Sequence, residues 1–391
     1  MRLYSYDGPS GRKIGEIGDY TLYSETLVRE KSVIKPYVTK ESNTAFNFIY
    51  GPSTGGLIES TLFNILTTGE SIKGMTSDPM FKLRELKVLG KNVKDAMPII
   101  ERINGSFTAS HSIAFLGAVE DAMEIELDEY ILMGRIIELE LERIRNHLHV
   151  IARMCEAAAF GVPYNNLFYM REKINRLIEE YSGHRFFHNV NRIGEIDIDL
   201  IGVSKSLENI CNDAKNTYDS LRDSKIFVDR LLDNGVVKDL DCIGPVARGC
   251  GYPYDARVDS TTLPYTELGF SPVIEKGKGD AMDRFIIRFE EIQQSTEIIG
   301  EAEKRLKKHT TRPHHMENEG EGLGRVESPS GDLTYLIKLN EGKINEISML
   351  TPSKVNLPVF LNSTRGNVFT DFHFNWESFG IWISEIAVGF I

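Results

Sequence analysis

The residues able to do redox or metal chemistry on their own are few and badly spaced for it. Four cysteines occur, Cys155, Cys211, Cys242 and Cys250, separated by 56, 31 and 8 positions. Thiolate sites for zinc or an iron–sulfur cluster use closely paired cysteines, and no C-x-x-C is present. A metal or cluster site built by this chain alone is therefore not expected, and four cysteines in 391 residues do not make a disulfide scaffold. A reducing compartment is the default. His309, His314 and His315 flank Arg312, as a metal site or as a solvated loop. Gly320-Glu321-Gly322-Leu323-Gly324 has the outline of a dinucleotide loop. It follows no strand, and no acidic residue stands at ribose distance after a βαβ unit, so it reads as a surface loop. No Ser-His-Asp or Cys-His order can be supported without geometry.

Composition narrows the classes further. Hydrophobic residues are 41% and charged residues 26%, the balance of a globular protein. Lys plus Arg number 45 against 57 Asp plus Glu, a net charge of −12. Nucleic-acid binding that depends on neutralising phosphates is not expected of such a chain. The N-terminal stretch from Met1 to Asp7 lacks the apolar core of a signal peptide, and no run of apolar residues is long enough to cross a membrane.

Three parts are expected to position any site. Residues 1–65 read as a small β-rich part with turns at Asp7–Gly11 and Gly51–Gly56. Residues 66–308 read as a helical bundle. Its longest helix starts after Asp128 and runs to about Phe160, with Ile137, Leu141, Ile144, Leu148, Ile151 and Cys155 alternating in steps of four and three along one face. Such a helix is roughly 50 Å long. Further helices are expected over Asn165–Tyr181, over Val203–Leu232 and from Asp280 to Lys308. Residues 309–391 open with a polar loop to residue 330. A hairpin follows around Asn340-Glu341-Gly342, and an apolar segment, Phe379–Ile391, is expected to be buried. The fold class is α+β, a central bundle of long helices with β-rich N-terminal and C-terminal parts.

From Gly51 onward several segments resemble one family in order. They are Gly51-Pro52, Ala96-Met97-Pro98-Ile99-Ile100-Glu101-Arg102-Ile103, Ala118-Val119-Glu120, and Glu142-Arg143-Ile144-Arg145-Asn146-His147-Leu148. Then come Gly244-Pro245-Val246-Ala247-Arg248-Gly249 with Pro253-Tyr254-Asp255, Glu327-Ser328-Pro329-Ser330-Gly331-Asp332, and Thr351-Pro352-Ser353-Lys354-Val355-Asn356-Leu357. Together they resemble the large subunit of membrane-bound [NiFe] hydrogenases and the homologous quinone-site subunit of respiratory complex I, over about residues 50–391.

The departures carry as much as the matches. The resemblance implies four nickel-binding thiolates from two C-x-x-C motifs, at positions that here hold Asn104, Phe107, Trp382 and Glu385. An amide, two aromatic rings and one carboxylate cannot replace soft sulfur ligands, so no metal is expected. The family's quinone-contacting His and Tyr positions hold Thr54 and Gly105. His111 stands seven residues after Asn104, where the hydrogenases have a His, and Glu59 lies near their proton-path Glu. Arg102 is expected to be buried and ion-paired beside the former site. Arg102, His111 and Glu59 are the candidate catalytic residues. Glu142, Arg143 and His147 read equally as structural or as part of a proton path.

The resemblance implies the redox-module large subunit of a membrane-associated, energy-converting oxidoreductase complex. A non-catalytic scaffold subunit and a quinone-reducing NADH dehydrogenase subunit with altered donors are the alternatives. It further implies an iron–sulfur cluster in a partner small subunit, quinone as the candidate ligand, and other peripheral-arm and membrane subunits as partners. The place implied is the cytoplasmic inner face of the cell membrane. An open polar cavity near Asn104 and Glu385 would favour the enzyme, and a site plugged by Phe107 and Trp382 the scaffold.

Overall fold

The computed structural model describes residues 9–24, 26–28, 45–238, 241–259, 262–306 and 319–391. The candidate histidines 309, 314 and 315, with Arg312, lie outside them.

Near the N-terminus β1 (Lys13–Ile17), β2 (Tyr20–Tyr23) and β3 (Leu27–Val28) form one antiparallel sheet. A second is built from β4 (Phe46–Tyr50), β5 (Leu62–Thr68) and β6 (Ser71–Asp78). Strand β7 (Arg84–Leu86) leads into α1 (Val93–Ile100), which Asn92 caps by accepting from Asp95 N at 2.9 Å. Next come α2 (Thr108–Ala122) and α3 (Glu129–Ala157). The stripe expected on α3 is in the core, from Ile137 to Cys155. The opposite face is buried too, because α3 runs through the middle of the molecule.

Helix α4 (Gly161–Ser182) ends at Gly183, whose φ of +73° supplies the left-handed cap. The helix expected over Val203–Leu232 is two helices, α5 (Val203–Arg222) and α6 (Lys225–Leu231). Ser224 breaks them by capping the second, accepting from Phe227 N at 3.4 Å. After the short strands β8 (Asn191–Arg192) and β9 (Glu195–Ile196), which lie between α4 and α5, the chain passes through α7 (Pro245–Gly249) and α8 (Ala256–Asp259). Helix α9 (Ala281–Lys304) starts on a capping box made by Asp280 and Asp283. Helices α3, α4, α5 and α9 pack in a ring, α3 on α4 and α9, α5 on α4 and α9.

Residues 320–330, expected in a loop, are mostly strand. β10 (Gly320–Ser328), β11 (Gly331–Asn340) and β12 (Lys343–Leu350) form an antiparallel sheet. The Gly320, Gly322 and Gly324 backbone lies on α2. A Cβ on Gly322 would stand 2.0 Å from the Ala118 carbonyl oxygen, and one on Gly324 1.9 Å from that of Ala114. The alternating glycines are a helix-on-strand seam, and neither the nucleotide-loop nor the surface-loop reading holds.

The chain finishes with α10 (Pro352–Ser363), α11 (Phe372–Phe379) and β13 (Val388–Phe390). Strand β13 pairs in parallel with β7, Val388 opposite Arg84 and Phe390 opposite Leu86. That pairing carries the C-terminal segment back to the residues after α1. Among the described residues no helix is long and apolar enough to cross a membrane.

Candidate functional site

Two loops meet beside the β7–β13 pair. One, Glu101–Phe107, joins α1 to α2, and the other is Gly380–Ile386. Arg84 ties them together. Its Nη2 donates to the Ile103 and Ser384 carbonyl oxygens, each at 2.6 Å, and its Nη1 to the Arg102 carbonyl at 3.2 Å.

The four residues at the family's nickel-ligand positions meet here. Asn104 Nδ2 donates to Glu385 Oε1 at 3.3 Å. Asn104 Oδ1 accepts from Ser106 N at 2.9 Å, which holds the turn into α2. Phe107 meets Trp382 edge to face with ring centroids 5.9 Å apart. Asn104, Phe107 and Glu385 are buried and Trp382 is half-buried.

His111, one turn into α2, faces the same carboxylate. Its Nε2 lies 3.4 Å from Glu385 Oε1, and its Nδ1 is 2.8 Å from the Tyr335 hydroxyl. Burial and the Glu385 charge push the Tyr335 phenol well above its usual range. Ser353 Oγ donates to Glu385 Oε2 at 2.6 Å and accepts from Trp382 N at 3.0 Å. Burial pulls the neighbouring Lys354 ammonium down, partly offset by Glu385. Glu59 adjoins through Ser384, whose N–H donates to Glu59 Oε2 at 3.1 Å. Burial raises the Glu59 carboxyl, the bonds from Ser384 oppose this, and the Glu385 charge adds to it.

Three candidates stand apart. Arg102 is not buried: its side chain is 57% exposed, 3.7 Å from Glu101 Oε2, with Nη1 donating to Pro98 O at 2.6 Å. The inward face of α1 is taken by Val93, Ala96, Met97 and Ile100, and Glu101 turns in behind them. Gly105 is exposed, and a Cβ there would meet no atom within 4 Å. Thr54 is half-buried in the loop between β4 and β5.

The donor set does not fit nickel. Asn104 and Glu385 satisfy each other, Phe107 and Trp382 pack together, and neither ring offers a lone pair. Among the described residues no group of three or more His, Cys, Asp and Glu side chains could hold a metal ion. The void beside Ile58, Glu59, His149 and Trp382 is about 20 Å³, room for a water molecule. What the cluster holds is a buried line of polar groups, Tyr335, His111 and Glu385.

Sequence reasoning missed Tyr335, Ser353, Arg84 and His149. Ser353 lay within a motif already matched. Tyr335 had the signal of a polar-tipped aromatic in the middle of an apolar strand. The imidazole of His149 stacks on Trp382 at 5.6 Å, and burial with Arg171, Arg153 and Arg145 nearby pushes it down to about 3.

The other matched motifs build a buried ionic web under the site. Arg248 of α7 reaches Glu291 of α9 at 2.7 Å, Glu327 of β10 at 2.8 Å and Asp255 at 2.9 Å. Arg143 Nη2 donates to the Glu327 carbonyl oxygen at 2.6 Å. His147 Nε2 lies 2.8 Å from Glu291 and its Nδ1 3.2 Å from Arg288 Nη1. The Arg288 donor makes Nδ1 the acceptor, so Nε2 carries the proton given to Glu291. Burial pushes His147 down to about 3. Glu142 accepts from Ala109 N at 2.8 Å and Ser110 N at 2.9 Å, an anion on the first turn of α2. In this geometry Glu142, Arg143 and His147 position helices.

The comparisons agree with this architecture. The family model of the 49 Kd subunit of respiratory-chain NADH dehydrogenase matches residues 161–319. The alpha subunit of the membrane-bound hydrogenase of Pyrococcus furiosus is 26% identical over 355 residues, 82% of each chain. The D-type subunit of the NADH-quinone oxidoreductase of Geobacter sulfurreducens is 28% identical over 365 residues, 82% of this chain and 92% of that one. Among solved structures, a chain of the membrane-bound sulfane sulfur reductase, an archaeal respiratory membrane complex, superposes with a TM-score of 0.80. It is 20% identical, and the match covers 88% of this chain and 98% of that one. The fold is shared with that chain. The sequence likenesses are thus to D-type subunits of complex I and to a hydrogenase subunit of the same kind.

Proposed function

We propose that this chain is the large subunit of the redox module in a membrane-associated, energy-converting complex, and that it works without nickel. The observation that carries this reading is the meeting of Asn104 with Glu385 and of Phe107 with Trp382. The two-loop frame of the family is kept, and its metal-binding chemistry is replaced by packing. Electrons arrive from an iron–sulfur cluster in a separate small subunit. This partner docks on the Gly51 loop and the exposed rim around Arg102 and Gly105. Because the centre is filled, the acceptor is reduced at that rim, where Trp382 is half-buried, and not inside this chain. Other peripheral and membrane subunits hold the chain at the inner face of the cell membrane.

The second reading is a scaffold that docks partners and transmits movement. The complete burial of Phe107, His111 and Glu385 favours it. Purification of the intact complex with a panel of acceptors, a quinone analogue and sulfane sulfur among them, separates the two. A redox role predicts that Trp382→Leu lowers acceptor reduction with the subunit composition unchanged. Undiminished turnover of every acceptor by the assembled variant assigns the scaffold role.

A further inference from the structure

Away from the loop junction, α1 and the turn between β8 and β9 enclose a second cavity, of about 410 Å³. Cavities of this size hold small organic molecules. Its floor is apolar. Val93 and Met97 come from the inward face of α1, Leu116 from α2 and Ile193 from the β8–β9 turn.

The polar groups divide by depth. Glu101 and Asn191 line the cavity and are each 2% exposed. Glu101 Oε1 accepts from Asn189 N at 2.7 Å. Its Oε2 lies 3.7 Å from Arg102 Nη1 and 3.5 Å from His188 Nδ1. Asn191 Nδ2 donates to Glu138, and Asn191 Oδ1 takes no hydrogen bond among the described residues. Pro98 has no N–H to give the Lys94 carbonyl oxygen, so the α1 wall adds an acceptor without its helical donor. Burial, with the Arg102 charge adding to it, pulls the His188 ring down to about 4, so the imidazole is neutral near neutrality. The inner groups therefore call for a hydrogen-bond donor, and Glu101 for a cation. At the mouth the sign is reversed. Lys94, Arg102 and Arg192 are exposed there, and Arg192 is held by Asp197 at 3.4 Å.

We propose that this cavity binds an apolar α-amino acid. The ammonium meets Glu101 and Asn191 Oδ1, the carboxylate meets Arg102 and Lys94, and the side chain lies on the floor. Spacing matches as well as sign. In an α-amino acid the two charges sit on one carbon, and Glu101 and Arg102 present their complements 3.7 Å apart. A plain amine leaves the cations at the mouth unanswered, and a plain fatty acid leaves Glu101 and Asn191 unanswered. The site shares Arg102 with the proposed docking rim but uses nothing of the Asn104–Glu385 junction, so it does not depend on a redox role.

Isothermal titration of the full-length chain tests this with L-leucine, with isoamylamine, which lacks the carboxylate, and with isocaproate, which lacks the ammonium. L-leucine is expected to bind, and isocaproate about tenfold more weakly, because the buried acceptors lose their donor. Isoamylamine is expected to bind about threefold more weakly, because Arg102 is exposed. Arg102→Ala, a surface change, is expected to shrink the advantage of leucine over the amine. Glu101→Gln is expected to shrink its advantage over isocaproate. Failure of L-leucine, L-methionine and L-phenylalanine to bind overturns the proposal, as does equal affinity for leucine and both half-analogues. Leucine binding that Arg102→Ala leaves unchanged relative to the amine places the ligand elsewhere and also overturns it. The wild-type series and Arg102→Ala decide the matter if Glu101→Gln fails to fold.

Discussion

Asn104 and Glu385, 281 positions apart, share a hydrogen bond of 3.3 Å at the junction of the two loops that frame the site. Glu385 also accepts from Ser353 and faces His111, so its carboxylate is the common acceptor of the cluster. Removing it leaves three buried polar groups without that partner. Glu385→Ala is expected to destabilise the chain by about 3 kcal/mol, and Glu385→Gln, which keeps an acceptor oxygen, by about 1 kcal/mol. Urea unfolding midpoints of the two variants check the order. Equal losses would mean that packing, and not acceptance, is what Glu385 contributes.

The same junction makes a statement about metal. With an amide, two rings and one carboxylate at the four positions, the purified chain is expected to carry no stoichiometric nickel. Elemental analysis decides it. One nickel per chain would show that the sequence positions were matched wrongly or that the metal sits elsewhere.

The glycine seam between β10 and α2 sets up a sharper stability test. At Gly324 a methyl group would stand 1.9 Å from Ala114 O and 2.3 Å from Ala118 N. Both are backbone atoms inside a helix and cannot swing aside. Gly324→Ala is expected to cost about 3 kcal/mol. Gly105→Ala, with nothing within 4 Å, is expected to change stability by less than about 0.5 kcal/mol. Thermal unfolding compares them, and matching midpoints would remove the seam as a constraint.

These glycines also show where the sequence was opaque. A long helix with one wet side, such as α9, prints its period and its Asp280 cap. Helix α2 is buried on nearly every side, so no polar alternation marks it. Strand β10 carries three glycines because a helix backbone lies on it, and glycines in a row read as a loop. Arg102 looked like a buried partner from its motif. Only the packing of α1 reveals that Glu101 takes the inward place. The meeting of Asn104 with Glu385 was legible from motif order. The filled centre was not, because a void or its absence depends on how Phe107, Trp382 and Ser353 close on each other.

The stack of His149 on Trp382 has a spectroscopic consequence. Only two tryptophans exist, so Trp376→Phe leaves Trp382 as the sole reporter. A stacked imidazolium quenches indole emission and a neutral imidazole does so less. With His149 pushed down to about 3, the ring stays neutral near neutrality. The expected emission is flat from about pH 5 to pH 8. A transition near the ordinary histidine value would show that His149 is solvated.

Glu138 supplies the clearest pH dependence. It is fully buried on α3, with Asn191 Nδ2 donating to Oε2 at 2.9 Å and Oε1 without a partner among the described residues. Burial raises its carboxyl from 4.5 to about 8, against the Asn191 bond and the nearby Arg135 charge. The native state therefore holds a proton that the unfolded chain has released across that window. Stability from this group is present below the unfolded value and is lost as pH rises towards the folded one. Glu138→Gln keeps the shape and removes the titration. Its stability relative to wild type is expected to improve steadily between about pH 5 and pH 8 and then level off. Urea unfolding at several pH values measures the difference. A difference that stays constant across the window would mean that Glu138 is ionised in the folded chain, held by Arg135.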